Sequence, residues 1–185
     1  MLERLVLEAM YTSPLLAGTT TEIDLALLIV RVGIGLTMAA HGWAKFFTGG
    51  RIAGTAGWFD SMGMRPGRVH AVLAAGGEIA AGVCMALGLL TSFAALGFVG
   101  LMTVAWWTVH RDKGFFIIKE GWEYVFILAL IAIVVAMIGP GDWSLDEALG
   151  IRDDLDGYVG LLISAVGGLA AAGALLGAFS RPPGG

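Results

Sequence analysis

Arg31 lies well inside the first long apolar run of the chain, and that one charge restricts what the segment can become. From Ile23 to Trp43 the run is long enough to cross the ~30 Å hydrocarbon core of a bilayer as a helix rising ~1.5 Å per residue. A guanidinium keeps its proton at any ordinary pH. At such depth it must face protein and find polar partners. Gly35, Met38 and Gly42 follow Arg31 at i+4, i+7 and i+11, so its side of the helix is small or pliable and admits a close neighbour. The run ends in His41-Gly42-Trp43-Ala44-Lys45, an aromatic and a cation at the level where a bilayer gives way to water.

The rest of the chain fits the same solvent. Of 185 residues, 57% are hydrophobic and 14% charged, which points away from a soluble domain and toward a polytopic membrane bundle. The 29 glycines suit helices that pack by backbone approach. Cys84 is the only cysteine, so an intrachain disulfide and a CxxC redox pair are both excluded, and a buried, inert thiol is expected. The first residues carry mixed charges (Glu3, Arg4, Glu8) and do not read as a cleaved signal, so this segment is expected to be retained.

Five apolar segments follow one another. Leu2, Leu5, Val6, Ala9 and Met10 share one helical face, predicting a short interfacial helix that ends near Pro14 and the Thr19–Thr21 run, with Thr20 or Thr21 capping the first span. A glycine-rich connector over 46–68 contains a candidate interfacial or re-entrant helical turn from Ile52 to Met62. Val69–Leu90 is the second span, with Glu78 in its middle, and Thr91-Ser92 turns directly into the third, Phe93–Val109. A charged loop leads to a fourth, Trp122–Ile138, which Gly139-Pro140-Gly141 ends. An acidic stretch over 142–157 precedes the fifth, Tyr158–Phe179. Gly160, Ser164, Gly168 and Ala172 form a small-residue stripe on that last helix, expected to dock other membrane subunits.

These segments predict an all-α, polytopic membrane helix bundle. Its parts are an N-terminal interfacial segment (1–22), a four-helix membrane bundle (23–149), and an acidic loop end with a fifth transmembrane helix and short tail (150–185). With five spans, Lys45, Arg51, Arg65, Arg68, Arg111, Lys113, Lys119 and Arg181 fall on one side, and only Arg4 and Arg152 on the other. The positive-inside rule makes the first side cytoplasmic, giving a multi-pass protein of the inner (cytoplasmic) membrane with its N-terminus outside and C-terminus inside.

Arg31 and Glu78 are the two charges buried in spanning segments. With His41 and His70 taken as the same end, Arg31 is ten residues deep and Glu78 eight, or ~15 and ~12 Å. Equal depth and opposite sign predict a buried ion pair between them, either a staple for helix register or one wall of a ligand pocket. His41 and His110 sit at the cytoplasmic level with Trp107, so the candidate pocket comprises Arg31, His41, Glu78, Trp107 and His110. The three histidines lack HExxH or i, i+4 spacing, so no metal site is expected. No phosphate-binding loop, basic stripe for nucleic acid or electron carrier of the chain's own is present, and no catalytic residue can be named.

The order Arg31, His41-Gly42-x-x-Lys45, Glu78, Gly88-Leu89-Leu90-Thr91, Glu123-Tyr124 and Gly139-Pro140-Gly141-Asp142-Trp143-Ser144-Leu145-Asp146 resembles the DoxX family over roughly residues 23–149. The resemblance implies a four-helix membrane bundle. It also implies kinship with proteins that serve as subunits of a thiosulfate:quinone oxidoreductase or accompany other membrane oxidoreductases. Two functions are therefore expected. One is a small membrane subunit of a bacterial respiratory or redox complex that contacts quinone, with no intrinsic cofactor. The other is a non-catalytic accessory subunit that stabilises a larger complex in the bilayer.

Overall fold

The structure is a computed structural model that describes residues 14–181. The long apolar runs form helices throughout. α1 spans Pro14–Phe47, α2 Arg51–Ser61, α3 Gly67–Leu87 and α4 Thr91–Ala105. α4 continues through a π-helical turn, Trp106–His110, into a 3-10 turn, Arg111–Lys113. α5 spans Glu123–Ile138, and short helices α6 (Leu145–Ala148) and α7 (Arg152–Leu155) fold the acidic stretch. α8 (Gly157–Leu161) passes through a π segment, Leu162–Gly167, into α9 (Gly168–Phe179). Four stretches are long and apolar enough to cross a membrane: Thr21–Phe47, Gly67–Leu87, Thr91–Lys113 and Gly157–Phe179. α5 is equally apolar but has 16 residues, about 24 Å, short of a full hydrocarbon core.

Two local expectations change, and one falls outside the described residues. α1 begins at Pro14 and runs on through the threonines, so neither Thr20 nor Thr21 caps it; Pro is well placed at a helix start, where no N–H partner is needed. The helix expected over residues 2–10 lies outside the described residues. The connector turn is a full helix, α2, whose Phe59 packs with Met64 and Ala71 against α3.

α1 and α3 are antiparallel and touch backbone to backbone. A Cβ at Gly35 would stand 2.5 Å from the Gly82 carbonyl oxygen, and one at Gly42 2.5 Å from that of Ala75. Only glycine allows this approach. The main core lies between α1, α3, α4 and α5, around Ile34, Met38, Met85, Phe98, Met102, Leu128 and Val135.

The small-residue stripe of the last helix is spent inside the chain. Gly160 lies against the Ala136 carbonyl of α5, Gly168 against Leu96 and Val99 of α4, Ser164 is fully buried and Ala172 nearly so. The expectation that Gly160, Ser164, Gly168 and Ala172 dock another subunit is therefore corrected: these residues close the bundle itself. The stripe reads the same in sequence whichever neighbour it meets, since small residues mark close approach and not its source.

The bundle has two unlike ends. At one, the 48–66 connector, the 111–121 loop and the end of α9 lie together; Arg181 N–H donates to the Gly63 carbonyl at 3.0 Å, and Met64 bridges Ser180. At the other, the Asp142 N–H donates to Asp24 Oδ1 at 2.9 Å, and Arg152 pairs with Asp142, Glu147 and Asp153.

Candidate functional site

Arg31 and Glu78 do not meet. In the register set by Gly35 and Gly82, Glu78 stands beside Gly42, nearly level with His41, while Arg31 stands beside Ala86. His70 lies farther toward the helix end than His41, so the two histidines do not mark one plane. Counting from them equalised depths that differ by some eight residues, about 12 Å. Each charge has found another partner. Arg31 is fully buried and donates to the Trp143 carbonyl at 2.8 Å and the Ala86 carbonyl at 3.3 Å. Both of these hydrogen bonds go to backbone carbonyls, and among the described residues no carboxylate lies within ion-pair distance of it.

Asp146 is buried at the acidic end of the bundle and ties three segments together. Its carboxylate accepts from the N–H groups of Leu90 (2.6 Å) and Thr91 (2.9 Å), and its own N–H donates to the Gly88 carbonyl at 2.8 Å. The opening amide of α4 is thus capped by a residue 55 positions away. Gly88 adopts a left-handed conformation (φ +62°), and a Cβ there would strike the Arg31 guanidinium and Ser144. Arg31 is therefore the core of a structural lock between α1, the α3–α4 turn and the 143–146 segment.

Glu78 belongs to the other end, where Lys45 Nζ donates to both its oxygens at 2.7 and 2.5 Å. This pair lines a cavity of about 340 Å³ between α1, α2, α3, α4 and α5. Its polar wall is His41, Lys45, Glu78, Tyr124, Thr108 and His110; Met38, Trp58, Phe59, Leu101 and Leu128 are among its apolar walls. Of the five residues predicted to line a pocket, the structure brings His41, Glu78 and His110 together. It leaves out Arg31, at the opposite end, and Trp107. The Trp107 ring points outward, 42% exposed, with the Arg111 guanidinium 4.3 Å from its centre. The π turn over Trp106–His110 accounts for this. Wider winding re-aims the last turn so that Thr108, Val109 and His110 face the cavity and the two tryptophans face out.

Lys45, Thr108 and Tyr124 are the polar site residues that sequence reasoning missed. Lys45 follows His41 at i+4, on one helical face, and that spacing was the available signal. Tyr124 Oη lies 3.2 Å from His41 Nε2, a hydrogen bond whose direction depends on the imidazole tautomer. His110 Nδ1 lies 2.6 Å from the Glu120 carbonyl oxygen, which favours a proton on Nδ1. Lys113 pairs with the Glu120 side chain, and this hydrogen bond, with the ammonium charge, holds the Glu120 carboxyl below its usual range. The cavity can therefore offer hydrogen-bond donors and acceptors and a paired charge to a ring-sized guest within apolar walls. Its volume falls inside the ~300–1,000 Å³ typical of small-molecule sites. Among the described residues, no three His, Cys, Asp or Glu side chains cluster as a metal site would need.

Comparison with known proteins agrees with this architecture. An uncharacterized protein of Haemophilus influenzae is 29% identical over 84 residues, 45% of this chain and 56% of the relative. The chain thus spans just over half the length of that curated relative. No solved structure matches significantly. The DoxX family profile matches residues 26–111, which hold α1 from residue 26 on, α2 to α4, Arg31, and the cavity's His41, Lys45, Glu78 and His110. Through this segment, a little under half of the chain, the protein is similar to the DoxX family.

Proposed function

We propose that this protein is a membrane subunit of a respiratory or redox assembly and that its polar cavity receives the ring of a membrane quinone. The observation that carries the reading is the cavity bounded by His41, Lys45–Glu78, Tyr124 and His110 and otherwise walled by apolar side chains. A quinone ring has two carbonyl oxygens on a flat apolar body. Tyr124, His41 and Lys45 can donate to such oxygens, and Trp58 and Phe59 offer faces to the ring. The chain's residues bind and orient the ring; electrons would come from a partner subunit, since the sequence supplies no carrier.

α5 completes the topology as a fifth, short span, its polar ends drawn to the interfaces. The bundle end that gathers Lys45, Arg51, Arg65, Arg68, Arg111, Lys113, Lys119 and Arg181 then faces the cytoplasm, with the acidic 142–157 segment outside. The 23–149 core and the 150–185 segment act as one bundle in this reading.

The test uses the full chain in lipid nanodiscs, titrated with ubiquinone and read by quenching of tryptophan fluorescence, with lipid-only discs as the blank. Saturable binding, weakened about tenfold by Glu78→Gln and unchanged by Glu123→Gln, is the expected result. Binding no greater than lipid partition, or equal behaviour of the two variants, would overturn the reading.

A further inference from the structure

A second cavity of about 210 Å³ adjoins the polar one, enclosed by α3, α4 and α9 beside Phe59 and Met64. The two share Phe59, Ala74, Leu101 and Val104 as a common partition. The second chamber differs in chemistry. Leu73, Leu96, Gly97, Gly100, Ala171 and Leu175 complete its wall, and its one titratable side chain is His70. His70 is 4% exposed, with its ring edge-on to Phe179 at 5.0 Å and beside Phe59 at 6.1 Å. Ala171 and Leu73, both exposed, put its mouth on the outer surface of the bundle, where hydrocarbon chains of the bilayer would lie.

From this adjacency we infer that the occupant of the polar cavity is an amphiphile whose apolar tail leaves past the Phe59–Ala74–Leu101–Val104 partition, runs through the second chamber and reaches the bilayer between α3 and α9. The inference rests on the quinone reading and extends it to the tail and the route of entry. A tail-less ring would leave the second chamber without a guest. A tail turned the other way would cross the layer of Arg51, Lys113 and their neighbours, a charged route that hydrocarbon does not take. The chamber is made by glycine and alanine. Gly100 on α4 and Ala171 and Ala172 on α9 leave the space that leucine would fill.

The experiment compares ubiquinones carrying one and four isoprene units on the full chain in nanodiscs, each corrected for partition into lipid-only discs. Ala171→Phe narrows the mouth from α9, and Leu73→Phe narrows it from α3 should the first variant fail to fold. The wild type is expected to bind the longer quinone at least tenfold more tightly than the shorter. Either variant should abolish that advantage while leaving the one-isoprene affinity within twofold. Equal affinities for the two quinones, or a tail advantage that survives both variants, would overturn the tail route and leave the head site standing. Failure of both quinones to bind would overturn the quinone reading, and the tail route with it.

Discussion

Lys45 at the end of α1 clasps the carboxylate of Glu78 in the middle of α3, with Nζ at 2.7 and 2.5 Å from its two oxygens. The two side chains are 22% and 11% exposed, so the pair is shielded without being sealed. It neutralises the carboxylate where the polar cavity begins and leaves the remaining donors free to meet a guest.

Breaking that pair from one side leaves a shielded charge alone. Lys45→Met or Glu78→Gln is expected to cost about 1–3 kcal/mol. The double variant Lys45→Met/Glu78→Met should recover more than half of the larger single loss, because an apolar pair carries no desolvation penalty. Denaturant unfolding in detergent micelles measures all of these.

The Arg31 lock gives a sharper contrast. Asp146→Ala removes the acceptor of the Leu90 and Thr91 amides and should destabilise by about 2–4 kcal/mol. Glu147→Ala, an exposed neighbour paired only with Arg152, should cost under about 1 kcal/mol. Thermal melts of the two variants that coincide would show that Asp146 is not the anchor.

Close packing of α1 on α3 predicts a glycine pair with opposite tolerance. Gly35→Leu meets the Gly82 carbonyl and Ala86 within 2.9 Å and should destabilise by at least about 2 kcal/mol. Gly33→Leu, two residues earlier, meets nothing within 4 Å and should be near neutral, within about 0.5 kcal/mol. Both are read by the fraction of folded protein surviving a temperature ramp in detergent.

Tyr124→Phe keeps the ring and deletes the hydroxyl 3.2 Å from His41. Ubiquinone affinity should fall about five- to tenfold, the worth of one hydrogen bond, with the melting temperature within about 2 °C of wild type. An unchanged affinity would remove Tyr124 from the site.

The loop after α4 carries a pH signature. The Lys113 hydrogen bond and charge hold the Glu120 carboxyl below its usual value of 4.5, so the folded state favours the ionised form. That contribution is fully present above pH ~4.5 and is lost as pH falls through the lower folded-state value. Lys113→Met should raise the Glu120 midpoint toward the ordinary one, read by carboxyl-carbon NMR of labelled glutamate.

The stretches Ile23–Trp43, Val69–Leu90, Phe93–Val109 and Tyr158–Phe179 were legible as helices because a membrane-length apolar run has one stable outcome in lipid, where each backbone group must bond within its own segment. His41 and His110 were legible as neighbours because they fall at the ends of alternate spans that run the same way, whereas Glu78, in the middle of its span, reached them through the α1–α3 register. Lys45 at i+4 from His41 was within reach. The tryptophans were not, because the π turn that rotates them outward leaves no mark in the pattern of residue types.

By itself, the sequence determined the class of fold, the number and order of apolar segments, the charge asymmetry of the loops, and the need of Arg31 for polar partners. These follow from composition and from the energetics of one segment in lipid. Tertiary structure alone decided which partner each charge took. The α1–α3 register depends on glycine contacts between residues far apart in the chain, and it put Glu78 beside Lys45 and left Arg31 to the carbonyls of Trp143 and Ala86. It also decided that the stripe of the last helix would close this bundle. A small residue permits close approach without specifying what approaches, and only the packed helices make that choice.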